Sequence, residues 1–274
     1  MKKQLRARAS VELEARRVMA RLVAVCAAAV VISGCQERSG SSEPAIRFGA
    51  LDGWPDGAEL ERFGSLHEVM MEGATEGRVN LGHFLGGQNM HGVGAMAVLD
   101  GEVTYDDGVL WISRVRDGQV VTERFRPGDP VALSATLLGA SRVSDWQAFS
   151  LDETSLSELA SVIRARADRF PPERPVPFRV VGRFVHLSYH VIDGTRLAPG
   201  ASSHAAHKEA AYRGRVEHQD GVLVGFMGET LEGLLTHRGE SIHAHVTLES
   251  PNPVTGHVDD VRIAKGAKLL LPAR

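Results

Sequence analysis

GAMAVLDGEVTYDDGVLWISRVRDGQVVTERF, residues 94–125, decides the fold. Three Asp-Gly pairs, at 100–101, 107–108 and 117–118, separate short runs rich in Val, Ile, Tyr and Trp. Asp and Gly tolerate positive φ, so an Asp-Gly pair between such runs marks a tight hairpin. The stretch predicts a β-meander: an apolar run over 94–99, then strands at 103–105, 109–115 and 119–125.

Outward from it, 131–137 reads as a further strand. Residues 59–72 have apolar positions at a spacing of three to four (Leu60, Phe63, Leu66, Val69/Met70) and read as a helix. SLSELASVIRARADRF, 155–170, is the clearest helix. Ser155 and Glu158 have capping-box spacing, and Pro171 and Pro172 stop the chain from continuing it. The second half alternates again over 178–192, 216–227, 241–248 and 258–271, with a loop rich in Gly, Ala, Ser and His at 193–214. The expected class is α+β: two β-rich lobes of mixed or antiparallel sheets, few helices, and a site between them. The expected divisions are 1–34, 35–46, 47–172 and 173–274.

The chain's 274 residues are 43% hydrophobic and 24% charged, which excludes a wholly disordered chain. Residues 1–34 hold seven Lys/Arg and two Glu, a net of +5, leaving −8 on the rest. An acidic body excludes nucleic acid as a partner. After Arg21 comes LVAVCAAAVVI, an apolar run of signal-peptide length, too short to span a bilayer. It ends in Ile32-Ser33-Gly34-Cys35, which resembles a bacterial lipobox. The resemblance implies cleavage after Gly34, lipid on Cys35, and an exported, membrane-anchored protein on the periplasmic or cell-surface side. QERSGSSEP, 36–44, reads as a flexible tether. Cys26, the other cysteine, leaves with the signal, so the mature protein has no disulfide.

Gly92-Val93-Gly94-Ala95-Met96-Ala97 matches GxGxxA, but a hairpin follows it where a dinucleotide site needs a helix. The histidines carry more information. Most of the twelve lie between 186 and 257, and the densest set is His243-Ala244-His245 followed by His257. On a strand, residues i and i+2 share a face. A turn at Ser250–Gly256 brings His257 back beside them. Three imidazoles with a fourth position left open is the catalytic type of zinc site. His186 and His190 share one strand face, forming either a half-exposed polar surface or the wall of a site. His204 and His207 suit a solvated loop, or else a lid. His237 reads as support for the metal site, and His83 and His91 as possible pocket walls. His67 and His218 read as surface.

Several segments together resemble the α-acetolactate decarboxylase family. They are Gly221-Val222-Leu223-Val224-Gly225-Phe226, His243-Ala244-His245, Gly256-His257-Val258-Asp259-Asp260, Gly182-Arg183-Phe184 and the hairpin 94–101. The resemblance implies zinc on His243, His245 and His257, and a 2-hydroxy-3-oxo acid such as 2-acetolactate as substrate. It also implies acetoin as product and a homodimer as one possible assembly. It places the family's hairpin Glu at Ala95 and its strand Arg at His190, and no Glu follows Asp260. His190 is then the candidate acid/base, with Arg183 or His186 helping with charge. Two other readings fit the same residues: another metal-dependent lyase on a small oxo or hydroxy acid, and a non-catalytic metal- or ligand-binding lipoprotein.

Overall fold

The computed structural model describes residues 46–47, 60–85, 89–168, 170–198 and 204–273. The expected export signal, Cys35 and nearly all of the tether lie outside these residues. The meander forms as the Asp-Gly pairs dictate. Strands β1 (Ile46–Arg47), β2 (Glu61–Phe63), β3 (Val79–Asn80), β4 (Met90–Met96), β5 (Glu102–Asp106), β6 (Val109–Arg116), β7 (Gln119–Phe125) and β8 (Ser134–Arg142) make one sheet. Its order is β1-β2-β8-β4-β5-β6-β7, with β3 also on β8. At the β5–β6 turn, Asp107 and Gly108 have φ of 51° and 80°; at the β6–β7 turn, Asp117 and Gly118 have 51° and 74°. Two consecutive positive φ values are what a twist-matched two-residue hairpin requires.

The second sheet holds β9 (Trp146–Ser150), β10 (Thr154–Ser155), β11 (Val176–Val191), β12 (Tyr212–Met227), β13 (Ile242–Leu248), β14 (Val254–Ile263) and β15 (Lys268–Pro272). Its order is β10-β14-β13-β12-β11-β15-β9, and β14 pairs with β11 as well. Strands β11 to β14 therefore close on themselves. Every strand pairing in both sheets is antiparallel. The α+β class is as expected, and both sheets belong to one folded unit, Ser42–Arg274. The chain passes from the first sheet to the second between Arg142 and Trp146, earlier than the expected division at 172.

Helix α1 (Leu156–Arg166) starts at Ser155, whose capping box with Glu158 is complete, and it buries Leu159 and Ile163 against the second sheet's core. Three expectations change. The 59–72 segment is not one helix: Glu61–Phe63 pairs with β8, and only Glu68–Glu72 coils, as a π-type turn. Gly64 breaks it, at φ 69° and packed so closely on β8 that a Cβ would lie 2.2 Å from the Thr136 carbonyl oxygen. The 193–214 loop contains α2 (His204–Ala210), built from the good helix formers in HAAHKEA. The 258–271 run is two strands, turned at Gly266 with φ 93°.

Candidate metal centre

Strand register assembles the site. His190 on β11 pairs with His257 on β14, and His257 pairs with His245 on β13. Three histidines thus stand in one row across three strands. His243 is two residues before His245 and shares its face. The row looks into a cavity of about 710 Å³ between the sheets, also lined by Glu102, Ala95, Leu99 and Leu137 from the first sheet's side.

The ligand atoms of His243, His245 and His257 lie within 4.8 Å of one another. Nε2 of His243 is 3.2 Å from Nε2 of His245 and 3.1 Å from Nδ1 of His257. Metal–nitrogen bonds of about 2.0–2.1 Å in a tetrahedral site put neighbouring nitrogens roughly 3.3 Å apart. These separations match. Burial, first of all, holds His243 down to about 3 and keeps His245 and His257 well below the ordinary imidazole value. All three are neutral bases with a lone pair to give.

A hydrogen-bond chain sets the tautomer of His245. Thr255 Oγ1 donates to the Val246 carbonyl oxygen at 2.9 Å. Thr104 Oγ1, 2.6 Å away, therefore donates to Thr255 Oγ1. Its remaining lone pairs accept from Nδ1–H of His245 at 3.0 Å. Each hydroxyl has one proton, so the direction propagates, and Nε2 of His245 is left unprotonated towards its two neighbours. The donor set fits a divalent cation.

Beside the row stands a carboxyl that the sequence reading missed. Glu102 on β5 is 5% exposed. Its Oε1 accepts from the Ile192 backbone N–H at 3.1 Å, and its Oε2 lies 3.7 Å from Nε2 of His245. Desolvation pushes it up to about 7, against a smaller opposing pull from His190. The carboxylate therefore comes from Glu102, not from the Ala95 position, which carries only a methyl group into the cavity. Its one sequence signal is its place directly after the Asp100-Gly101 turn.

His190 does reach the cavity. Its Nδ1 is 2.8 Å from Asp259 Oδ1, and Arg213, its register partner on β12, donates to the other oxygen of Asp259 at 3.1 Å. Asp259 is the extra residue of a bulge: Tyr189 pairs with Val258 and Ser188 with Asp260, leaving it unpaired between them. A bulge re-aims one side chain, here towards His190.

Arg183 and His186 do not join the site. Arg183 is clamped at 3.0 Å by both oxygens of Asp220. His186 bonds Glu217 at 2.9 Å. His186 shares the face of His190 but lies four residues away, roughly 13 Å along a strand. His91 is buried with its ring against Trp146, and neither it nor His83 lines the cavity. His207 on α2 and His237 do line it.

Fold and site together define an α+β protein that can hold one divalent cation on three neutral imidazoles at the wall of a substrate-sized cavity. The profile of the family "Alpha-acetolactate decarboxylase" matches residues 64–271, and the chain belongs to that family of carboxy-lyases. No curated protein sequence matches it significantly. Two solved structures share its fold. One is acetolactate decarboxylase from Bacillus subtilis strain 168, at 16% identity and TM-score 0.61, covering 78% of this chain and 84% of that one. The other, from Staphylococcus aureus, is described as a protein of unknown function similar to that enzyme. It gives 16% identity and TM-score 0.61, covering 77% of this chain and 84% of that one.

Proposed function

We propose that the protein decarboxylates 2-acetolactate or a close 2-hydroxy-3-oxo acid to the corresponding hydroxyketone, with zinc on His243, His245 and His257. The observation that carries this is three neutral imidazole nitrogens converging beside a buried carboxyl, Glu102, in one cavity. In the overall reaction the bond from C2 to the carboxylate breaks, CO₂ leaves, and one proton takes the vacated place. When bound, a divalent cation supplies positive charge for the electron pair left behind.

The chain's own residues do the rest. Thr104 and Thr255 hold His245 with its free lone pair aimed inward. Glu102, kept dry and tied to the Ile192 N–H, is placed to hold or deliver a proton. His190, oriented by Asp259, faces the cavity next to His257, their ring centroids 4.7 Å apart. It occupies the position of the family's strand Arg, but it cannot grip a carboxylate bidentately. Arg213 and Lys208 on the rim bring the positive charge that an anionic substrate needs.

The test is zinc-loaded protein with racemic acetolactate, scored for acetoin and CO₂. Equimolar zinc and acetoin release are expected, and both are lost in His243→Ala. Zinc-loaded protein that forms no acetoin refutes the reading. We further propose lipid on Cys35 and an exported location, which the mass of the mature N-terminal peptide and its loss in Cys35→Ser check.

A further inference from the structure

The cavity is larger than a five-carbon acid needs. At about 710 Å³ it falls within the roughly 300–1,000 Å³ of sites for drug-sized ligands. It also has two unlike sides. The histidine row, Glu102, Arg213 and Lys208 make one. The other is apolar: Leu66, Val69 and Met70 on and before the π-type turn, Leu99 ahead of β5, Leu137 on β8, and Leu235. A branched acid held at the imidazoles by its oxygens would leave that wall facing water.

Two features show that the wall is built and kept open. Gly94 admits no side chain, because a Cβ there would lie 2.0 Å from the Leu137 carbonyl oxygen, and the next residue, Ala95, offers only a methyl group. Val98 and Leu99 both hold positive φ, 53° and 55°. For bulky residues, one of them β-branched, that backbone is costly, and such strain concentrates at ligand sites. Here it turns Leu99 into the cavity.

We infer that the substrate is a 2-hydroxy-3-oxo acid whose apolar arm is longer than methyl and lies along the Leu66–Val69–Met70–Leu99–Leu137–Leu235 wall. This rests on the proposed decarboxylation and deepens it. The polar head meets the imidazoles and Glu102, and each methylene of the arm removes wall and ligand from water together.

The experiment uses zinc-loaded protein and 2-hydroxy-3-oxo acids extended from methyl to butyl, in one series at C2 and in another at C4. The expected result is that kcat/KM rises about fourfold per methylene in one series. A methyl optimum in both overturns the inference while leaving decarboxylation standing. If no acid is decarboxylated, the function fails, and the arm is judged separately by calorimetry with stable 2-alkyl-2-hydroxy acids. Affinity rising about fourfold per methylene supports it, and flat affinity overturns it. Ala95→Leu should lower the butyl-to-methyl ratio at least tenfold with zinc content unchanged, and Met70→Gln should lower it less. An unchanged ratio in both variants overturns the wall assignment.

Discussion

Replacing Thr104 by Val tests the hydrogen-bond chain behind the metal centre. Val has nearly the same shape and removes one hydroxyl. That hydroxyl bonds His245 Nδ1 at 3.0 Å and Thr255 Oγ1 at 2.6 Å, and it is fully buried. Two effects follow. First, Nδ1 of His245 loses its partner, and an orphaned buried donor costs about 1–3 kcal/mol. For a chain of this size that lowers Tm by roughly 2–4 °C per kcal/mol, measurable by calorimetry on the metal-free protein. Second, the imidazole can take the other tautomer, with its proton on Nε2 where the lone pair should be. Loss of such an outer partner typically weakens metal binding about 10–100-fold. Competition titration against a chromogenic chelator reads this directly. Thr104→Ser, which keeps the hydroxyl, should restore most of the affinity. The reasoning fails if Thr104→Val binds zinc as tightly as the unchanged protein. It fails equally if Ser and Val behave alike, since the methyl group would then be what matters.

Glu102→Gln keeps size and the acceptor for the Ile192 N–H but removes the acid. It should lower kcat by about 10²–10⁴ with zinc content unchanged, in steady-state acetoin release. His91 is held down to about 3, first by burial and then by Arg179, so folding favours its neutral form. Its stabilising contribution is complete above its unfolded value near 6.5 and is lost as pH falls from there towards 3, by up to about 1.4 kcal/mol per unit. Chemical denaturation of His91→Phe should show a shallower acid slope over that window, and an equal slope would refute the assignment. Ser155→Ala removes the capping box of α1 and should cost about 1 kcal/mol in the same assay, with activity unchanged.

The parts of the molecule that the sequence revealed are those fixed by neighbours in the chain. The Asp-Gly turns set their own φ values, Ser155 and Glu158 cap their own helix, and His243 and His245 share a face because strands alternate. His257 was within reach because one short turn joins its strand to theirs. The misreadings arose where a distant segment decides. Residues 59–63 have a helix-like spacing, yet they form a strand because β8 offers an edge and Gly64 turns against Thr136. His186 and His190 share a face, but only the bulge at Asp259 and the pairing with His257 determine which of them reaches the cavity. Glu102 was the hardest to see. On the sequence it is an ordinary polar residue after a hairpin turn, and it becomes a buried acid only because the two sheets bring β5 against β13. Thr104 and His245 are 141 residues apart, and Thr104 and Thr255 are 151 apart. The metal ligands can therefore be read from local spacing, whereas the groups that orient them and move a proton beside them exist only once the sheets have packed. The site's reactivity is accordingly more sensitive to changes at the sheet–sheet contact, at Thr104 and Glu102, than the presence of three nearby histidines suggests.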